Sequence, residues 1–267
     1  MNTLREAAKR MLPASLHARA ADTWLRLAAS ARFLSILPKM DIVQITQIAQ
    51  SLNGKFERTC PICKFRGYFK AYGSPPRWDA RCPVCRSLER HRLLYLAIQS
   101  DFPLEPDGRL LHFAPEPATT RFVRPAVAEY LTADISGHHV DYTINIERIN
   151  LPDSSFDAII CSHVLEHVDD RSALSEMYRV LRPKGVLYLM TPVIDGWETT
   201  YEHKHARGAL ERELHFGQND HLRYYGRDLR DRILSAGFLL DEYTASGEAC
   251  VTYSLWRGER IFVCRKG

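Results

Sequence analysis

Missing from these 267 residues is any apolar run near the roughly 20 that a membrane-spanning helix requires, and no secretory signal is evident. Compositional extremes are missing too. Hydrophobic residues make up 45% and charged residues 25%, the ordinary balance of a soluble globular protein, and the length suits one large domain plus a small module. Net charge is a modest +4, but it is unevenly spread: residues 1–92 carry 17 Lys and Arg against 6 Asp and Glu, and residues 93–267 carry 19 against 26. That asymmetry points either to an anionic partner near the N-terminal third or to attraction between the two parts within the fold. Met1–Ala31 is rich in Ala, Leu and Arg and poor in acids, and its spacing favours a docking helix over a transit peptide.

Four of the seven cysteines fall as Cys60-Pro-Ile-Cys63 and Cys82-Pro-Val-Cys85, with 18 residues between the pairs. Two such knuckles place four thiolates around one soft divalent cation, and the separation suits a structural zinc ribbon, with iron as the alternative ion. Tyr68–Tyr72 and Arg77–Ala80 are expected to form a hairpin around Gly73–Pro76, with Phe65, Tyr68, Phe69, Tyr72 and Trp78 as its small core. Ser87 is a candidate cap for a helix running through Leu93, Leu94 and Ile98, which would join the ribbon rigidly to the rest of the chain. Arg86, Arg90, His91 and Arg92 form either an anion site or a solvated helix face.

Leu151–Pro192 reads as strand, loop, helix, turn, strand. Asp157–Cys161 is short and apolar, as in a parallel strand buried on both faces. Asp169 and Asp170 suit a helix start, Leu174, Met177, Tyr178 and Leu181 recur at helical spacing, Pro183 and Gly185 stop the helix, and Val186–Met190 is a second strand. The wording LPDSSFD, HVLEHV and RVLRPKG resembles the middle of the class I S-adenosylmethionine-dependent methyltransferases, and a weaker likeness runs from about Arg109 to the C-terminus.

That resemblance implies an α/β fold, a doubly wound Rossmann-like sheet of seven strands, the last of them antiparallel. The organisation then expected is a helical segment over 1–55, a zinc ribbon over 56–88 and the methyltransferase domain over 89–267. Arg109–Ala114 would be the first strand, yet His112-Phe-Ala-Pro-Glu-Pro-Ala118 replaces the family's glycine-rich turn: Ala114, Glu116 and Ala118 stand where three glycines are usual, and His112 stands at a common acidic position. The turn therefore has to take its own path, with Glu116 contacting the ammonium or ribose of the cofactor. Asp134, at the end of Tyr130–Asp134, is placed to accept hydrogen bonds from both ribose hydroxyls. Asn145, closing a third strand over Val140–Asn145, would meet the adenine amino group between Ile144 and Ile146.

Methyl transfer is an in-line displacement that rests on positioning, with a general base where the acceptor must lose a proton. By resemblance, Ser162 lies beside the cofactor's methionine part, and His163 and His167 are candidate bases, with Glu166 structural. The run FGQ-x-DH-x-R-x-YG makes Asp220, His221, Arg223 and Tyr224 candidate acceptor contacts. His203, His205, His215 and His221 lack a carboxylate or cysteine at regular spacing, which argues against a second metal site. Asp228–Ala236 suits the last sheet-covering helix, Phe238–Tyr243 a sixth strand and Glu259–Arg265 a seventh. Cys161, Cys250 and Cys264 read as buried thiols, which fits a cytoplasmic chain. The function expected is methylation of a hydroxyl on a small molecule, sugar or glycan precursor. RNA methylation through the basic module is the alternative, without an NPPY-like tetrad to support it, and a non-catalytic zinc-binding scaffold is the other.

Overall fold

The computed structural model describes residues 40–46, 53–73 and 76–267. Two compact units divide the chain, Met1–Leu52 and Asn53–Gly267. In the first, residues 42–46 form a helical turn closed by reciprocal bonds between Asp41 and Gln44. The Met1–Ala31 expectation lies outside the described residues.

The second unit begins with a three-stranded antiparallel sheet, β1 (Asn53–Thr59), β2 (Arg66–Tyr72) and β3 (Arg77–Arg81). The hairpin is where the sequence puts it, and β1 is added along its edge. The aromatic core is smaller than expected. Phe69 is buried and Phe65 packs beside it, whereas Tyr68, Tyr72 and Trp78 are exposed. Four cysteines already fill the centre, so a five-residue aromatic cluster has no room to form.

Helix α1 (Glu89–Gln99) leads into the main sheet. Its strands are β4 (Arg109–Phe113), β5 (Glu129–Asp134), β6 (Tyr142–Thr143), β7 (Phe156–Ser162), β8 (Leu181–Met190), β11 (Phe238–Thr244) and β12 (Arg260–Lys266). The order is β11-β12-β8-β7-β4-β5-β6. Strands β4 to β8 run parallel, and β12 pairs antiparallel with both β8 and β11. The connections reverse direction between β4 and β7, which creates a crevice at their carboxyl ends.

Alternation along each central strand feeds two cores. Ile159 and Cys161 of β7 face one side with Leu111, Leu187 and Phe262, covered by Leu174 and Met177 of α3 (Asp170–Val180) and Ile233 of α5 (Leu229–Ser235). Ala158 and Ile160 face the other side with Leu110, Tyr188 and Val263, covered by Leu94 and Ile98 of α1, Val123 of α2 (Pro117–Val123) and Cys250 of α6 (Gly247–Tyr253). The doubly wound, Rossmann-like α/β expectation is met in full.

Asp169 caps α3 by accepting a bond from the Ser172 N–H at 2.8 Å. Pro183 and Gly185 do not separate helix from strand. Strand β8 starts at Leu181, which pairs with Phe156, and a bulge absorbs the Pro-Lys-Gly run. Between β8 and α5 lie the short pair β9 (Tyr201–Glu202) and β10 (Arg223–Tyr224) and helix α4 (Ala209–Phe216).

Candidate functional site

The two cysteine knuckles are copies of one turn. Lys64 N–H donates to the Cys60 carbonyl and Arg86 N–H to the Cys82 carbonyl, at 2.9 and 3.0 Å. Cys60 N–H and Cys82 N–H reach the carbonyls of Phe65 and Ser87, and Lys64 and Arg86 both take positive φ, 62° and 64°. The result sets Cys60 Sγ 3.5 Å from Cys85 Sγ and Cys63 Sγ 3.6 Å from Cys82 Sγ, with all four sulfurs mutually within 4.8 Å. Four thiolates at 2.3 Å from a tetrahedral ion stand about 3.8 Å apart, so Cys60, Cys63, Cys82 and Cys85 fit a zinc-sized cation and leave no position open.

Ser87 does not cap α1. Its hydroxyl turns to the sulfurs, 3.2 Å from Cys85 Sγ, and Leu88 becomes the cap residue. The Leu88 N–H donates to His91 Nδ1 at 3.0 Å, so His91 Nε2 carries the proton and donates to Glu116 at 2.7 Å. Burial holds His91 in this neutral form, lowering its pKa. Arg90 also donates to Glu116, at 3.0 Å through Nε. Burial of Glu116 favours its acid form, but the bonds from His91 and Arg90 prevail and hold it ionised, down to about 2. The buried Arg92 guanidinium donates to the carbonyls of Ala80, Ser87, Tyr253 and Ser254 and lies over the Phe69 ring. Arg90, His91 and Arg92 thus bind groups of the fold itself, joining the basic ribbon to the acidic remainder.

At the crevice, Ala114 follows β4 and His163 follows β7, both with positive φ, 47° and 54°. Their N–H groups donate to Ala133 and Met190 on the flanking strands, at 2.9 and 2.8 Å. The turn keeps the conformation that glycine adopts, only with Ala114 in it. Glu116 is extended and Ala118 lies inside α2, so neither needs glycine's freedom. His112 is buried against Tyr130, whose hydroxyl is 2.7 Å from Nδ1, and burial lowers its pKa to about 3. Asp134 closes β5, and one carboxylate oxygen, Oδ1, accepts from the N–H and hydroxyl of Ser136. Asn145 is exposed, and its oxygen accepts from Glu147 N–H at 2.9 Å. Ile144 and Ile146 are buried in the core and do not flank an open slot, because the third strand shrinks to Tyr142–Thr143.

His163 lines an open cleft of about 510 Å³ with Arg77, Glu89, Arg90, Met190, Thr191, Trp256 and Glu259. Its Nδ1 stands 3.3 Å from buried Glu166, which accepts a 2.8 Å bond from the Thr191 hydroxyl, and its Nε2 has no partner. Burial disfavours the Glu166 anion, yet His163 and Thr191 keep its pKa below the ordinary value. Glu259 Oε2 is also buried without a partner, and burial raises this carboxyl to about 7.

Four further candidates come from one segment. His221 is buried edge-on against His167, ring centroids 4.6 Å apart, and Asp220 stands 3.5 Å from His167 Nδ1. Arg223 lies behind them, donating to the Val168 carbonyl and to Glu202, while Tyr224 packs between Trp197 and Phe216. Ser162 ends β7 beside Met190. Glu166 and Glu259 are the residues whose importance the sequence pattern understates. His163-x-x-Glu166 is a detectable spacing, whereas nothing around Glu259 marks it.

Residues 119–189, from α2 to β8, match the family model described as methyltransferase domain. The match takes in about a quarter of the chain, the part that runs from the first helix after β4 through the centre of the sheet. Among curated relatives, the ubiquinone/menaquinone biosynthesis C-methyltransferase UbiE of Hydrogenovibrio crunogenus is 44% identical over 54 residues, 20% of this chain and 21% of that protein. Demethylmenaquinone methyltransferase of Corynebacterium urealyticum is 42% identical over 74 residues, 25% of this chain and 32% of its own. The chain thus aligns with between about a fifth and a third of the length of these relatives. A solved S-adenosylmethionine dependent methyltransferase from Mesorhizobium loti is 14% identical with a TM-score of 0.47, covering 65% of this chain and 98% of that one.

Proposed function

We propose that the chain transfers a methyl group from S-adenosylmethionine to a hydroxyl of a small molecule, sugar or glycan precursor. The observation that carries this reading is the His163–Glu166 pair at the carboxyl edge of β7, where His163 lines the cleft and its Nε2 is buried without a partner. When bound, the donor supplies an electrophilic methyl carbon on sulfur. On the protein side, Asp134 Oδ2 receives the ribose hydroxyls, and the left-handed turn at Ala114 lets the backbone come close. His163 Nδ1–H points to Glu166, which leaves Nε2 to take the acceptor's proton, and the Glu166 charge stabilises the imidazolium that results. Thr191 keeps the carboxylate in place. His112 and Glu116 act by shaping the turn, since both are already bonded within the protein.

The named relatives act on other acceptors across segments too short to carry an acceptor over. The RNA reading draws less support from the ribbon than its charge implies, because Arg58, Arg77, Arg90 and Arg92 are all paired internally. Radiolabelled methyl transfer against fractionated small molecules and glycans tests the proposal. His163→Gln should lower kcat by roughly 10²–10⁴-fold with little change in donor binding. An unaffected kcat in that variant contradicts the role given to His163.

A further inference from the structure

We propose a second metal site, distinct from the thiolate cluster, in which Glu166, His167 and His221 hold a first-row divalent cation. Glu166 and His167 belong to the 3-10 turn after β7, while His221 comes from the segment before β10. Despite that separation the two segments are stitched together. Leu222 N–H donates to the Glu166 carbonyl at 2.9 Å, Tyr225 hydroxyl to the Leu165 carbonyl at 3.1 Å, and Arg223 to the Val168 carbonyl at 2.7 Å. Behind them, buried Asp170 accepts from Tyr225 and Arg232, at 3.1 and 2.7 Å. This frame brings one ligand atom from each of Glu166, His167 and His221 mutually within 4.8 Å.

The second observation is an unmet need. His221 is 4% exposed, and its Nδ1 is buried with no hydrogen-bond partner. Leaving such a nitrogen unsatisfied is unfavourable, and a metal–nitrogen bond would satisfy it. His167 is already oriented in the manner of a metal ligand: its Nδ1 faces the Asp220 carboxylate at 3.5 Å, which leaves Nε2 for the ion. Ligands about 2.0–2.2 Å from one ion lie within about 4.4 Å of one another, a spacing comparable with the one this frame provides. Two imidazoles and a carboxylate select zinc, iron or manganese over calcium or magnesium, and they leave positions open for water or substrate, unlike the closed thiolate site. His221 thereby parts from His203, His205 and His215, the set that its sequence neighbourhood offered.

The test is metal stoichiometry of the full chain, which needs no methyl donor and so stands or falls apart from the methyl-transfer reading. Protein is treated with a mild chelator that leaves the thiolate site filled, then titrated with Zn²⁺ against a chromophoric competitor. Wild type should reach two equivalents, and His221→Gln and His167→Gln should each stop at one while keeping the wild-type circular dichroism. Co²⁺ at the second site should give visible bands without thiolate charge transfer, lost in both variants. A wild-type protein that saturates at one equivalent, or folded variants that still bind two, overturns the proposal.

Discussion

In the cysteine module every metal ligand lies between Cys60 and Cys85, and two copies of one short turn deliver all four sulfurs. The cleft collects Arg90, His163, Thr191 and Glu259 from four separate segments, each placed by the sheet, so its geometry is only as good as the packing behind it. Local turns build the first, around a site that fits a zinc-sized cation; long-range burial builds the second. They are joined by buried Arg92, by the bond from Arg58 to the Val251 carbonyl and by that from the Ser254 hydroxyl to the Asp79 carbonyl, and Arg77 of β3 lines the cleft.

Removing the ion breaks this comparison most directly. Structural zinc contributes about 10–16 kcal/mol in small zinc peptides, so Cys82→Ser or chelation should unfold β1–β3. Hydrogen exchange should then show protection lost from Asn53 to the first turn of α1 and kept in β7 and β8. Simultaneous loss in β7 and β8 would mean the two regions are one cooperative unit. Next in size is Asp170→Ala, which removes one buried partner of Arg232, Arg223 and Tyr225 behind the turn that follows β7. Breaking a buried charge pair costs roughly 3–5 kcal/mol, so denaturant unfolding should show that loss while the ribbon keeps its metal.

Glu259 gives the smallest effect and a pH signature. Its folded pKa, about 7, stands above the ordinary 4.5, so the native state holds the extra proton between those values. Stability from this group is fully present below pH 4.5 and is lost as pH rises through 7, by on the order of 3 kcal/mol. Glu259→Gln should flatten that decline when urea midpoints are compared at pH 5 and pH 8. An undiminished decline in the variant would place its source elsewhere.

The same contrast explains what was legible in the sequence. Cys-x-x-Cys spacing, the Asp169 cap and the β7 apolar run act over a few residues, and each forms as read. The seven strands are what the resemblance to the methyltransferases implies, and their bounds differ by a few residues at β6 and β8. Tyr72 and Trp78 were misread because composition cannot say which side of a small sheet the sulfurs occupy. Glu116 meets His91 and Glu166 meets Thr191 across 25 residues each, and Glu259 Oε2 has no partner. Those pairings exist only once the sheet has folded. Ala114 shows the opposite limit: the residue departs from the glycine pattern while its backbone does not.

The central claim is that the crevice between β4 and β7 holds the methyl donor. Isothermal calorimetry with S-adenosylmethionine and S-adenosylhomocysteine tests it directly. The account predicts one site per chain, weakened at least about tenfold in Asp134→Ala, as loss of charged hydrogen bonds worth about 1.5–3 kcal/mol requires. No heat with either ligand at millimolar concentration, from protein with its thiolate site filled, would contradict it.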